Sequence, residues 1–365
     1  MRAVPKNWTL SAVGTESTLH QLSPYIGKLK SRIASGLIAR YTVKGDTIFD
    51  PFCGSGVVPL EALIAGRHAI ANDLSSYAAV LTKGKMFMPR SEPQAVEAAK
   101  KAIERCKLAS ARPSTVAPAW VRRFFHPRTL RETRLLADDF RQHNEWFLLS
   151  CLLGILHHQR PGFLSYPSSH LVPYLRDKKY PRKLYPEMYR YRDIESRLLS
   201  KIHRAYKRAT FDFDDLNRRF YRRDATKLVL PKTVDAIITS PPYMNALDYG
   251  RDNRLRLWFL GRNGAGSLDS RNPKNAANFV EMMRAFAKTS AQNLKRGGRC
   301  VLVVGEVTRG FRKVNTGKLV LEAFAASGEF NLADRMNDYI PDVRRSRRHT
   351  SCTKREWVLV FTKKT

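Results

Sequence analysis

Apolar and polar positions alternate in two regular stretches of this chain, separated by a segment of different character. Residues 33–41 are apolar at helical spacing and close at Gly45-Asp46. Residues 47–49 then predict a short buried strand, and residues 57–65 a helix with Gly66 at its C-terminal cap. Residues 68–71 predict a second strand ending in Asn72-Asp73. Strand, helix and strand in that order predict a βαβ unit and therefore a parallel sheet. Between about 90 and 217 the alternation stops, and helices are predicted over residues 129–140, 145–157 and 193–208 of a basic, aromatic stretch.

The alternation then resumes. Residues 219–223 lead to Asp224, and 234–239 form an apolar strand running straight into Ser240-Pro241-Pro242-Tyr243. A helix over 278–294, a turn at Gly297-Gly298, a strand over 299–305 and a helix over 318–326 follow. A late strand over 356–361 is predicted to pair antiparallel with a segment near 336–340. The pattern predicts an α/β domain built from residues 1–90 and 217–365, carrying a helical basic insertion at 91–216.

Composition sharpens this picture in three ways. Hydrophobic residues make up 43% of the chain, enough for a packed core. The 65 basic residues outnumber the 32 acidic ones, a net charge of +33 that repels itself unless a polyanion neutralises it. Nucleic acid is the first candidate partner. The longest apolar run, 146–156, is broken only by Ser150 and is far shorter than the ~20 residues that cross a bilayer. No membrane association is expected, and residues 1–10 lack the apolar core of a signal peptide. The five cysteines stand at 53, 106, 151, 300 and 352 with no CxxC pair, which predicts reduced thiols in a cytoplasmic protein. His157 and His158 are adjacent and point to different sides of a helix, so no metal site is expected.

Two short motifs carry the candidate chemistry. Phe49-Asp50-Pro51-Phe52-Cys53-Gly54-Ser55-Gly56 lies between the first strand and the first helix. Glycines there let the backbone approach a ligand closely, at a helix N-terminus that offers oriented N–H groups. Asp73, ending the next strand, is placed to bind a ribose diol. A dinucleotide site would share both features, but Pro59 occupies the third glycine position of its fingerprint. Asp50 would also repel a pyrophosphate, whereas it suits a ligand with an ammonium group such as S-adenosylmethionine. No GxxxxGK pattern supports phosphoryl transfer.

The second motif, Ser240-Pro241-Pro242-Tyr243, follows a buried strand at the edge where α/β proteins bind ligands. Its prolines stiffen the turn and leave carbonyls free to accept hydrogen bonds. The exocyclic amino group of cytosine or adenine is a poor nucleophile because its lone pair is delocalised into the ring. Acceptors such as the Ser240 hydroxyl and the Pro241 carbonyl can bind its hydrogens and localise that pair. Tyr243 offers a face for a flipped base. Carbon-5 methylation needs a thiolate, usually from a Pro-Cys pair, and no Pro-Cys dipeptide occurs.

Together these motifs resemble the bacterial DNA amino-methyltransferases that act on N4 of cytosine or N6 of adenine. Pro24-Tyr25-Ile26-Gly27-Lys28 and residues 245–257 are also similar to segments of that family. The resemblance covers roughly residues 15–90 and 217–362. It implies a Rossmann-like class I methyltransferase sheet with S-adenosylmethionine as cofactor. It places Asp50 on the methionine ammonium, Tyr25 over the methionine end, and Phe52, Gly54, Ser55 and Gly56 along the cofactor. Asp73 would bind the ribose and Asp224 the adenine amino group, with Ser240, Pro241, Pro242 and Tyr243 catalytic. Ser-Pro-Pro-Tyr leans towards N4 of cytosine; N6 of adenine in DNA and a base amino group in RNA are the alternatives. The implied partners are double-stranded DNA with the target base flipped and, in a restriction-modification setting, a cognate endonuclease.

The insertion adds lysines and arginines interleaved with Tyr180, Tyr185, Tyr189, Tyr191 and Tyr206, beside Arg122-Arg123 and Arg222-Arg223. This mixture predicts phosphate contacts and stacking on unpaired bases. A second basic patch, residues 344–349, precedes the last strand.

Overall fold

The computed structural model describes residues 2–10, 14–108, 116–157, 162–165, 181–209, 212–242, 249–261, 273, 275–309, 312–339 and 355–365. Tyr243, Tyr180, His158 and the patch 344–349 lie outside these. The strands are β1 (Arg2–Ala3), β2 (Thr47–Asp50), β3 (His68–Asn72), β4 (Arg218–Tyr221), β5 (Val234–Thr239), β6 (Leu294–Gly305), β7 (Val307–Arg309), β8 (Arg312–Val314), β9 (Phe330–Tyr339) and β10 (Arg355–Lys363). Apart from the small β7–β8 ribbon they form one sheet, in the order β1-β9-β10-β6-β5-β2-β3-β4. Only β10 runs antiparallel to its neighbours β6 and β9; β2, β3, β4, β5 and β6 pair in parallel. The chain moves from β2 outward to β4 and then returns to place β5 on the other side of β2. That reversal opens a crevice at the C-terminal ends of β2 and β5, the place where such sheets bind ligands. This is a Rossmann-like, mostly parallel α/β sheet.

Side chains along the central strands alternate between two cores, as a period of two requires. Ile48, Ala236, Val301, Val303, Val358 and Val360 face one layer. Phe49, Ile237, Cys300, Leu302, Leu359 and Phe361 face the other. The helices are α1 (Lys6–Thr9), α2 (Ser31–Tyr41), α3 (Val57–Ile64), α4 (Ser76–Met86), α5 (Glu92–Leu108), α6 (Ala119–Arg122), α7 (Pro127–Gln142), α8 (Trp146–Gly154), α9 (Ile194–Tyr206), α10 (Tyr249–Asp252), α11 (Arg254–Phe259), α12 (Ala276–Asn293) and α13 (Thr316–Ser327). Helices α12 and α13 cover the second face. The first is covered by α2, α3 and α4, and residues of α5, α7, α8 and α9 are buried in that same cluster.

The apolar run at 146–156 forms α8, in which Phe147 through Gly154 are all buried. Each of its large side chains contributes about 1.5–3 kcal/mol of burial, which explains a helix that is apolar all round. Among the described residues, no helix is long and apolar enough to cross a membrane. Cys53, Cys106, Cys151 and Cys300 are free.

The sheet departs from the expectation at two places. Gly297 and Gly298, expected as a turn before the strand, lie inside β6. Val234 pairs with Leu294 and Ala236 with Arg299, so β6 makes a bulge there. Gly297 has φ +71, and a Cβ on Gly298 would stand 3.0 Å from the Asp235 carbonyl. Strand β9 also starts at Phe330, well before the predicted segment, and pairs Met336 with Val358. Its first half mixes buried Phe330 and exposed Leu332 and Ala333 with polar Asn331 and Asp334, so periodicity alone carries no strand signal there.

Candidate functional site

Strand β2 delivers Asp50 to the crevice, and the chain then turns through two left-handed glycines, Gly54 at φ +50 and Gly56 at φ +73. Asp50 is 3% exposed. Its Oδ1 accepts a 2.6 Å bond from the Thr239 hydroxyl and a 3.3 Å bond from the Phe52 N–H. Burial pushes its carboxyl up to about 7, against the opposing pull of those two donors, and nearby Asp73 pushes in the same direction. Asp73 accepts the Gly54 N–H on Oδ2 at 2.9 Å and the Ser75 N–H on Oδ1 at 2.8 Å. Burial nevertheless raises its carboxyl above the ordinary value. Two desolvated acids side by side make a site that gains from a cationic ligand.

A cavity of about 640 Å³ opens over these groups. Tyr25, Asp50, Phe52, Gly54, Ser55, Asp73, Asp224, Ser240 and Pro242 all line it, so residues far apart in sequence meet in one place. Asp224 is exposed, and its Oδ1 accepts from the N–H and the hydroxyl of Thr226. Ser240 ends β5 and donates its hydroxyl proton to the Val303 carbonyl at 2.9 Å, so towards a further group its oxygen acts as an acceptor. Pro241 is buried and Pro242 half-buried, and only Pro242 lines the cavity. Gly56 does not line it. Gly56 caps the N-terminus of α3, where a Cβ would stand 2.7 Å from Thr82 Oγ1 and 2.9 Å from Thr82 Cα. Its part is to let α4 approach the loop.

The lid over the cavity comes from residues 23–28. Tyr25 lies against Gly54, where a Cβ would meet its ring at 3.3 Å. The Tyr25 ring stacks on buried Tyr77 with centroids 6.0 Å apart, and the Tyr77 hydroxyl donates to the Pro24 carbonyl at 2.7 Å.

Several contributors had little or no local signal. The Asn72 amide donates 2.9 Å bonds to the Pro51 and Arg223 carbonyls, and its oxygen accepts the Arg223 N–H. It ties the loop to the segment carrying Asp224; a polar residue ending an apolar strand was the only hint. Lys85 is 2% exposed and donates to the Ser55 carbonyl at 2.5 Å. Burial pulls its ammonium down to about 7. Thr82 donates to the Gly54 carbonyl at 3.2 Å, so α4 grips two successive loop carbonyls. Asn278, Glu281 and Met282 of α12 complete the wall.

The tyrosines of the insertion are placed differently from the expectation. Tyr206 is buried, with its hydroxyl donating to the Pro89 carbonyl at 2.6 Å. Tyr189 is 8% exposed beneath Arg182, and Tyr191 donates to Glu132 at 3.0 Å. Tyr189 and Tyr206 are packed against protein and are not presented for base stacking, while Tyr185 and Tyr191 are half-buried.

Residues 22–115 match the RMKL-like methyltransferase domain family (UPF0020). The chain is 24% identical over 283 residues to the type II methyltransferase M.BsoBI of Geobacillus stearothermophilus. That match covers 67% of this chain and 53% of the relative, so the chain spans about half the length of the curated relative it matches. Among solved structures, TrmN from Thermus thermophilus is similar at TM-score 0.39 and 13% identity, over 94% of this chain and 52% of that one. The rRNA methyltransferase aviRa from Streptomyces viridochromogenes is similar at TM-score 0.36 and 11% identity, over 96% and 95%. The family match thus covers the glycine loop and strands β2 and β3, and it is to a methyltransferase domain. The residues fit S-adenosylmethionine, which would bring an ammonium and a sulfonium to a cavity walled by buried Asp50 and half-buried Asp73.

Proposed function

We propose that this protein transfers the methyl group of S-adenosylmethionine to an exocyclic amino group of a base in DNA, N4 of cytosine. One observation carries the reading. Ser240 and Pro242 line the same cavity as the glycine loop, together with Asp50 and Asp73. The family match and the excess of positive charge support a methyl transfer to nucleic acid.

The cofactor supplies an electrophilic methyl carbon. Asp50 holds its ammonium, Asp73 its ribose diol and Asp224 its adenine amino group. Tyr25 covers the methionine end, while Phe52, Gly54 and Ser55 form the floor. Ser240 would accept a hydrogen of the substrate amine, with the backbone carbonyls of the turn as further acceptors, which localises the nitrogen lone pair. The amine nitrogen would take the methyl group that the cofactor supplies, and the proton it then carries would pass to solvent. The Ser240 hydroxyl suits the acceptor role because its own proton is committed to Val303. Tyr243 stacks on the flipped base.

The test is incubation of the purified protein with isotope-labelled S-adenosylmethionine and plasmid DNA, digestion to nucleosides and mass spectrometry. N4-methylcytosine is the expected product. N6-methyladenine would keep the amino-group chemistry and change the base. Label in RNA with none in DNA would overturn the substrate assignment.

A further inference from the structure

Tyr189 and Tyr206 are packed inward, which directs attention to other faces as the contact surface for a nucleic-acid substrate. Helix α11 begins eleven residues after Tyr243 in the sequence. Its Arg256 is buried, donates from Nε to the Leu153 carbonyl at 3.3 Å, and lies 5.7 Å from the centre of the Tyr77 ring. Tyr77 stacks on Tyr25, which lines the cavity. This run of contacts anchors α11 beside the cavity lid.

From that anchor α11 presents a different set of groups outward. Arg254 is exposed and sits 4.3 Å over the half-buried Trp120 ring. Arg134 of α7 sits 5.5 Å from the half-buried Trp258 ring. Phe125 and Phe259 pack edge-on at 5.9 Å, locking α11 to the segment between α6 and α7. Two indoles, each faced by a guanidinium, thus lie on α11 and on the α6–α7 segment packed against it.

We propose that this face, Trp120, Arg134, Arg254 and Trp258, is the DNA-contact surface flanking the active site. Guanidinium groups pair with phosphate in a forked geometry, and indole or guanidinium planes stack on a base left unpaired beside a flipped one. The occupant is DNA because the net charge of +33 calls for a polyanion and the face shares α11 with Arg256, which lies on the Tyr77 ring that stacks on cavity-lining Tyr25. The inference rests on the function proposed above. A purely structural role, in which the two cation–π pairs only join helices, makes a different prediction.

The test is fluorescence-anisotropy titration of a labelled DNA duplex between about 50 and 200 mM salt. Wild type, Arg254→Gln and the double variant Arg254→Gln/Arg134→Gln are compared, and calorimetry with S-adenosylmethionine checks each protein. The expected result is weaker DNA binding by several-fold per substitution. The slope of log affinity against log salt should fall by about one for each arginine that contacts phosphate. Cofactor affinity should stay at the wild-type value. Arg254 is exposed, so its single variant remains informative even if the double variant folds poorly. Wild-type affinity and salt slope in Arg254→Gln would overturn the surface while leaving the methylation assay to judge the reaction. Binding of RNA but not duplex DNA by wild type would overturn it as well.

Discussion

Asp50 should be a residue the protein keeps at the expense of its own stability. An aspartate carboxyl ordinarily titrates near 3.8, and burial moves this one to about 7. Each unit is worth about 1.36 kcal/mol, so the ionised form costs the folded chain about 4 kcal/mol before any cofactor arrives. The unfolded chain has already lost this proton between about pH 4 and 7, while the folded chain retains it. Stability therefore falls as pH rises through that window, and the whole cost is present above about 7. Asp50→Asn removes the charge and keeps an oxygen to accept from Thr239 and Phe52. Without cofactor, the variant should melt several degrees higher than wild type at pH 8, with a much smaller difference near pH 4. The same change removes the partner of the cofactor ammonium, a charge-assisted bond of about 1.5–3 kcal/mol, so affinity should drop roughly 10- to 100-fold. Wild-type affinity should itself weaken about eightfold from pH 7.5 to 6 as Asp50 takes up its proton, and the Asn variant should lose that dependence. Thermal unfolding at two pH values and calorimetric titration with S-adenosylmethionine read out every part. A variant that melts at or below wild type at pH 8 and still binds cofactor normally would refute the reasoning.

Other outcomes follow from the same geometry. Ser240→Ala should retain S-adenosylmethionine affinity and lose about 10²-fold in methyl transfer, measured by label incorporation into DNA; full activity would remove Ser240 from the mechanism. Lys85→Met cuts the bond to the Ser55 carbonyl, so calorimetry should show S-adenosylmethionine bound several-fold more weakly, and unchanged affinity would mean α4 does not shape the loop. Gly56→Ala forces a side chain into a left-handed conformation against Thr82, and urea unfolding should show a loss of about 1–3 kcal/mol; wild-type stability would show that α4 moves aside.

Much of the fold was legible because its determinants are local. Strands β2, β3 and β5 are short apolar runs buried on both faces, and parallel strands announce themselves in that way. The glycine loop and the Ser-Pro-Pro-Tyr turn are continuous peptides, so their residues stand together in sequence as they do in space. Asp50, Asp73 and Ser240 could be named because each ends a strand, and strand ends are where such sheets place their ligands. The late antiparallel strand was visible from its apolar run, but the first half of β9 was not, because it mixes buried Phe330 with exposed Leu332 and Ala333.

What tertiary structure decided was which groups share an environment. A sequence shows that Gly56 follows Ser55, but only the approach of α4 turns one towards the helix and the other towards the cavity. Lys85 and Asn72 became part of the site by reaching backbone carbonyls that lie 30 and 21 residues away. Asn278, Glu281 and Met282 belong to a helix whose periodicity speaks only of packing against the sheet. Tyr189 and Tyr206 look like part of a binding surface in a basic segment, yet packing turns them inward, because an aromatic ring is more stable buried than left in water. Local patterns record what each residue prefers; long-range packing decides whether that preference is met by protein or remains available to a ligand.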